Sequence, residues 1–254
     1  MISQIPPRLI AKLEIKNGYV VKGLMMEGVQ RVGDPVTYAR RYYNEGADEL
    51  ILLDLVASLY QRVELPDIIS SILKDTFLPI CAGGGISSIY DAELLFRAGA
   101  DKVCINTSAV EHPSMLGELV NRFGSQSIVS QIDVKSYHGE YRVFTNSGRD
   151  LSRYTLLEWL DIVQSQGVGE ILLTSIDSDG IGKGLDLPLV RLARPHCRVP
   201  LVFGGGASSL SDIAAAYNEE CEGCAVASAF HFEDLKIMDL KNDLKSKGIL
   251  MRIQ

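Results

Sequence analysis

An α/β fold, one closed parallel (β/α)8 barrel built from two duplicated halves, is what the sequence predicts, and three observations predict it. Short runs rich in Val, Ile and Leu alternate with longer segments of helical period, the pattern of parallel strands joined by crossover helices. Eight such pairs in 254 residues match the size of one TIM-type barrel, and no linker composition divides residues 1–254. The chain also repeats itself at an offset near 121 residues: PICAGGGISS from Pro79 matches PLVFGGGASS from Pro200, and DELILLDL around Glu49 matches GEILLTSI around Glu170. A shorter match pairs LEIK at Leu13 with IDVK at Ile132. Four strands cannot close on themselves, but two such units make the eight that enclose an interior side chains can fill.

The elements follow in order. LIAKLEI (Leu9 to Ile15) is the first strand, followed by a helix over Pro35 to Asn44. ELILLDL (Glu49 to Leu55) leads to Asp67 to Lys74, LPICA (Leu78 to Ala82) to Ile89 to Ala98, and KVCIN (Lys102 to Asn106) to Pro113 to Arg122. The second half repeats the scheme. SIVSQIDV (Ser127 to Val134) precedes Thr155 to Ser165, and EILLTSI (Glu170 to Ile176) precedes Leu187 to Ala193. PLVF (Pro200 to Phe203) and GCAVA (Gly223 to Ala227) are followed by Leu210 to Tyr217 and Leu235 to Lys247.

Composition narrows the function classes. With 46% hydrophobic and 22% charged residues the chain can bury a large core. A net charge of −7 argues against a broad nucleic-acid surface, which needs clustered Lys and Arg. No apolar run approaches the roughly 18 residues of a membrane span, and the opening MISQIPPRLIAKLEIKNG lacks a leader's apolar stretch, so a cytoplasmic protein is expected. Five cysteines are an odd number for a disulfide framework. Cys221 and Cys224 form one C-x-x-C without a second pair, and neither metal nor cofactor is expected.

In such a barrel the active site lies where the strands end. The glycine runs fall there, Gly83, Gly84 and Gly85 after strand three and Gly204, Gly205 and Gly206 after strand seven. Glycine lets the backbone approach an anion closely, and exposed N–H groups at a following helix start hold phosphate without Lys or Arg. Each run has a companion one strand later: Asn106, Thr107 and Ser108 in the first half, Ala227, Ser228 and Ala229 in the second. Taken singly, either run could be a tight turn. Duplicated, they imply a ligand with a phosphate at each end.

Glu14 ends strand one and Asp133 strand five, on opposite sides of the mouth, so acid and base roles can be divided between them. A carboxylate at a strand end can also cap structure or pair with Lys16 or Lys135; the equivalence of the two positions favours chemistry. Lys22, Asp54, Thr145, Ser147, Thr174, Asp177 and Asp179 are ligand-positioning candidates around the mouth. Alternation from Glu14 turns Lys12, Ile10 and Arg8 inward, and from Asp133 turns Gln131 and Val129 inward. Arg8 then lies near Glu49, Lys102 and Glu170, which open their strands, and the four can close the barrel floor as an ion-pair ring. A buried Lys12 needs a partner, and Glu14 is the nearest. No G-x-S-x-G elbow, P-loop or G-x-G-x-x-G follows a strand. His112, His138, His196 and His231 read as surface or capping residues.

With these residues placed, the chain resembles the cyclase subunit of imidazole glycerol phosphate synthase over essentially its whole length. The resemblance rests on VVKG at Val20, GADEL at Gly46, GGGI at Gly83, GADKVCINTSAV at Gly99, FGSQ at Phe123, VFTNSG at Val143, GEILLTSIDSDG at Gly169, GGGA at Gly204 and FHF at Phe230. It implies a bisphosphorylated substrate, an aminoimidazole carboxamide ribonucleotide with a phosphoribulosyl formimino arm. It also implies ammonia supplied by a separate glutaminase subunit at the N-terminal face of the barrel. The implied products are imidazole glycerol phosphate and the aminoimidazole carboxamide ribonucleotide, in histidine biosynthesis. Asp133 matches one of the family's catalytic aspartates, and Arg8, Glu49, Lys102 and Glu170 match its charged gate. Glu14 stands where the family has its other aspartate. Lys12 and Gln131 replace small side chains, and LMMEGVQRVGDP after Lys22 lacks the family's Asn-Phe near Met25 and Met26. These departures cluster near the chemistry and suggest a paralogue. Two alternatives stay open: a subunit that conducts ammonia to an amidotransferase of surface-polysaccharide sugar biosynthesis, and the related single-substrate isomerase.

Overall fold

The computed structural model describes residues 5–57 and 65–252; of the sequence readings, only the start of the opening segment lies outside them. Eight parallel strands form the barrel: β1 (Arg8–Lys16), β4 (Glu49–Asp54), β5 (Ile80–Gly83), β6 (Lys102–Ile105), β7 (Ile128–Tyr137), β10 (Glu170–Ser175), β11 (Leu201–Gly204) and β12 (Gly223–Val226). They pair in chain order, β12 returns to β1, and β10 pairs with β7, so the ring is closed. The predicted eight-stranded barrel is therefore the observed one.

Four further strands were not anticipated. β2 (Tyr19–Leu24) and β3 (Glu27–Gly33) form an antiparallel hairpin continuing β1, and β8 (Glu140–Thr145) and β9 (Asp150–Thr155) form one continuing β7. The cause is local. β1 and β7 run past the rim and reverse at Asn17-Gly18 and His138-Gly139, pairs with positive φ at both residues, as a type I′ turn requires. Asn-Gly between apolar runs was the available signal.

Among the described residues the helices are α1 (Pro35–Asn44), α2 (Leu65–Ile72), α3 (Ile89–Ala98), α4 (Thr107–Glu111), α5 (Ser114–Phe123), α6 (Leu156–Ser165), α7 (Leu187–Ala193), α8 (Leu210–Asn218), α9 (Ser228–His231) and α10 (Ile237–Ser246). α2 starts two residues before the predicted Asp67 because Pro66 suits a first helical turn. Extended backbone at Lys236 delays α10 past the predicted Leu235. α4 and α9 are too short to show a helical period and were missed. Among the described residues no helix is long and apolar enough to cross a membrane. The five cysteines are buried free thiols.

Alternation along β1 divides the core. Leu9, Ala11, Leu13 and Ile15 face the helices in the large outer cluster, whereas Ile10 belongs to a separate inner cluster with Ile51, Leu53, Cys81, Cys104, Val129, Leu172, Val202 and Ala225. The inner group fills the lumen between floor and mouth. Below it, Lys241 of α10 reaches Asp48 (Nζ to Oδ1, 2.7 Å), and the other oxygen of Asp48 accepts from the Leu9 N–H at 2.8 Å. The last helix is thereby pinned to the base of β1.

Candidate active site

The four charged residues predicted at the floor meet. Arg8 donates to Glu49 at 2.5 Å and to Glu170 at 2.7 Å, and Lys102 donates to both carboxylates at 3.1–3.2 Å. Cations and anions alternate around the ring. Burial works against the Arg8 charge, but Glu170 and Glu49 outweigh it and raise its pKa.

At the mouth, the inward residues of β1 form a buried cluster with a residue of the loop after β10. Glu14 is 3% exposed, accepting from Lys22 Nζ at 2.9 Å on Oε2 and pairing with Lys12 Nζ at 2.8 Å on Oε1. Lys22 also donates to Asp179 Oδ2 at 2.6 Å, and Lys12 lies 3.9 Å from Asp179 Oδ1. Two cations face two carboxylates. Burial opposes ionisation of Glu14, yet Lys12 and Lys22 hold its carboxyl well below the usual range. The partner predicted for Lys12 is thus in contact with it.

Asp133 on β7 is 1% exposed and takes its hydrogen bonds from neutral amides, Asn106 Nδ2 at 2.9 Å and Gln131 Nε2 at 3.0 Å on the same oxygen. Burial pushes its pKa from 3.8 to about 6; Lys12 and the two amides pull it down, while Asp179 adds to the rise. Such a carboxyl exchanges a proton near neutral pH. It borders a cavity of about 690 Å³ whose lining includes Asp54, Gly84, Gly85, Asn106, Thr107 and Ser147.

The helix starts around the mouth differ in how far side chains already satisfy their N–H groups. The starts of α3 and α8, which follow the glycine runs, are already occupied: Asp91 accepts from the Ser87 N–H and the Ser88 hydroxyl, and Asp212 from the Ser208 and Ser209 N–H groups. A carboxylate already fills each long-helix terminus. The short helices α4 and α9 instead begin without a side-chain cap, on residues of nearly identical backbone, Asn106 (φ −120, ψ −81) and Ala227 (φ −119, ψ −84). Their first N–H groups are the open donors, one set in each half. Gly84, Gly85, Gly205 and Gly206 all have positive φ, and a Cβ on Gly84 would stand 2.1 Å from the Asp54 carbonyl oxygen. Gly84→Ala is therefore expected to weaken binding of inorganic phosphate by roughly tenfold, about 1.4 kcal/mol, in isothermal titration; unaltered binding would remove this loop from the site.

The other predicted positioning residues divide. Lys22 and Asp179 join the buried cluster, and Asp54 Oδ1 accepts from the N–H groups of Val56 and Ala57, shaping the loop beside Gly84. Thr174 is buried on β10 opposite Asp133 in register. Ser147 donates to the Leu55 carbonyl at 3.3 Å and Thr145 to that of Asp150 at 3.4 Å. Asp177 instead accepts from the Ser136 N–H, tying the loop after β10 to the β7 extension. Ala227 and Ser228 start α9, and Gly205 and Gly206 lie buried beneath Ser175 and Gly184.

His231 corrects a surface reading. It is 3% exposed, shares a 2.5 Å hydrogen bond between Nδ1 and the Tyr42 hydroxyl, and burial lowers its pKa to about 3. Its position in FHF, one turn past a barrel strand, was the signal.

The model of the histidine biosynthesis protein family matches residues 8–236. The chain is 42% identical over 247 residues to "Imidazole glycerol phosphate synthase subunit HisF" of Helicobacter hepaticus, covering 97% of this chain and 98% of that protein. The same-named subunit of Wolinella succinogenes is 41% identical over 254 residues (99% and 100% covered), and that of Pyrobaculum aerophilum is 42% identical over 249 residues (97% and 98%).

Proposed function

The chain belongs to the histidine biosynthesis protein family and, within it, to the HisF subunits of imidazole glycerol phosphate synthase, and from that premise we propose how the barrel works as the cyclase subunit of this enzyme. Identity near 40% along the whole chain carries the activity. The substrate's two phosphates sit on the uncapped starts of α4 and α9, with Gly84, Gly85 and Thr107 on one side and Gly205, Gly206, Ala227 and Ser228 on the other. Ammonia comes from a glutaminase on the N-terminal face, passes the ring of Arg8, Glu49, Lys102 and Glu170, and moves between the inner side chains of the lumen, past Lys12, to the mouth. Asp133 exchanges protons with the reacting nitrogen and the leaving group, and Glu14 supplies negative charge on the opposite side.

Purified protein given the bisphosphorylated substrate and an ammonium salt should release imidazole glycerol phosphate and the aminoimidazole carboxamide ribonucleotide; no turnover would overturn the cyclase reading. With glutamine and the glutaminase, Glu170→Leu should lower glutamine-driven turnover by about tenfold relative to ammonium-driven turnover. An unchanged ratio would exclude the floor as the entry route.

One observation favours a second reading, in which the barrel passes ammonia to an amidotransferase of sugar biosynthesis. Both Glu14 oxygens are engaged by lysines, unlike a carboxyl free to exchange protons. A large gain in cyclisation on Glu14→Asp would mark a site that has drifted from that task.

A further inference from the structure

We propose that Lys12 is a positioning residue that, together with Lys22, locks Glu14 as a permanently ionised fixed charge, leaving Asp133 as the one carboxyl at the mouth that exchanges a proton. This rests on the cyclase reading for its role in turnover, but its geometry stands independently.

Charge matching within the cluster carries it. Lys12 and Lys22 present two ammonium groups, and Glu14 and Asp179 present two carboxylates, all four side chains at most 4% exposed. Each oxygen of Glu14 has its own cation, at 2.8 and 2.9 Å. Protonating Glu14 would leave two buried ammonium groups facing one carboxylate, an uncompensated charge that an interior strongly disfavours. Asp133 is placed differently: its hydrogen bonds come from the neutral amides of Asn106 and Gln131, with no cation in direct contact, and Lys12 and Asp179 act on it with opposite signs. Among the described residues, the cluster is also faced by Asp133, which acts on Lys12, and by His231 of α9, whose Nε2 has no hydrogen-bond partner and which Arg41 also faces. Lys12 itself is fully protonated, because Glu14 and Asp179 more than offset the burial of its ammonium. The two halves of the barrel have thus diverged: equivalent strand ends carry one clamped carboxylate and one exchanging carboxyl.

Lys12 enables this division. It projects into the lumen above Ile10, where alternation along β1 leaves an inward position that a small side chain would leave open. Without it, Glu14 would keep a single cation, shared with Asp179.

Carbon-13 NMR of the full chain labelled at Asp and Glu carboxyls tests the proposal without requiring turnover. Resonances are assigned by their loss in Glu14→Gln and Asp133→Asn. In the unmodified protein the Glu14 signal should stay at its ionised position from pH 8 to pH 4, while Asp133 titrates near pH 6. In Lys12→Met the Glu14 midpoint should rise into that window, and Lys12→Arg should restore the ionised signal. A Glu14 signal that titrates in the unmodified protein overturns the clamp, and one that stays ionised in Lys12→Met overturns the assignment to Lys12. Ammonium-driven turnover is measured separately: its absence beside the expected titrations would count against the cyclase reading alone.

Discussion

Asp133→Asn is expected to lose about a thousandfold in ammonium-driven turnover while becoming more stable than the parent at pH 8. General acid–base groups contribute typically 10²–10⁴-fold, and Asp133 is the carboxyl whose proton is mobile near neutrality. Asparagine keeps the oxygen that accepts from Asn106 and Gln131, so the loops and the substrate affinity should persist. The gain in stability follows from linkage. A carboxyl whose pKa rises from 3.8 to about 6 on folding is protonated more readily in the native state. Its contribution is fully present below pH 3.8 and is lost as the pH climbs through 6, a difference of roughly 3 kcal/mol. The variant, which cannot ionise there, should exceed the parent by about that amount in urea unfolding at pH 8 and match it near pH 4. For the active protein at saturating ammonia, turnover should rise with pH through a midpoint near 6 as Asp133 ionises to serve as base. Full activity in Asp133→Asn, or equal stabilities at pH 8, would contradict this account.

Lys241→Met is the second large effect, expected to cost about 3–5 kcal/mol. Lys241 is completely buried and its partner Asp48 nearly so, 0% and 2% for the side chains. Removing the cation leaves Asp48 ionised in the interior with a backbone N–H as its remaining support. For a chain of this length that should lower the thermal midpoint by roughly 10 °C. Replacing Asp48 by Asn in the same protein should recover part of the loss, since the buried charge is gone. A loss below about 1 kcal/mol would mean that water reaches the pair.

Much of this was legible in the sequence because it is periodic. The 121-residue repeat and the Val/Ile/Leu runs specify eight strands, and alternation from Glu14 turns Arg8, Ile10 and Lys12 inward, where the structure has them. What escaped has a common physical cause: it depends on short or non-local features. α4 and α9 span five and four residues, less than two helical turns, and leave no period to read. The occupation of the α3 and α8 starts by Asp91 and Asp212 is a side-chain choice that glycine spacing does not encode. The clamp on Glu14 needs Lys22 from a hairpin and Asp179 from a loop more than 150 residues away, contacts that only the folded barrel creates.

The alternating ring at the floor has one more consequence. The Arg8 guanidinium holds its proton more tightly than usual because two carboxylates flank it, so acidification or alkalinisation within any physiological range leaves that member of the lock in place. If the ring gates ammonia as proposed above, opening it calls for displacing a side chain of the ring rather than for titrating Arg8. Under that proposal, passage through the base would follow contact with the partner subunit, and a barrel without one would stay closed.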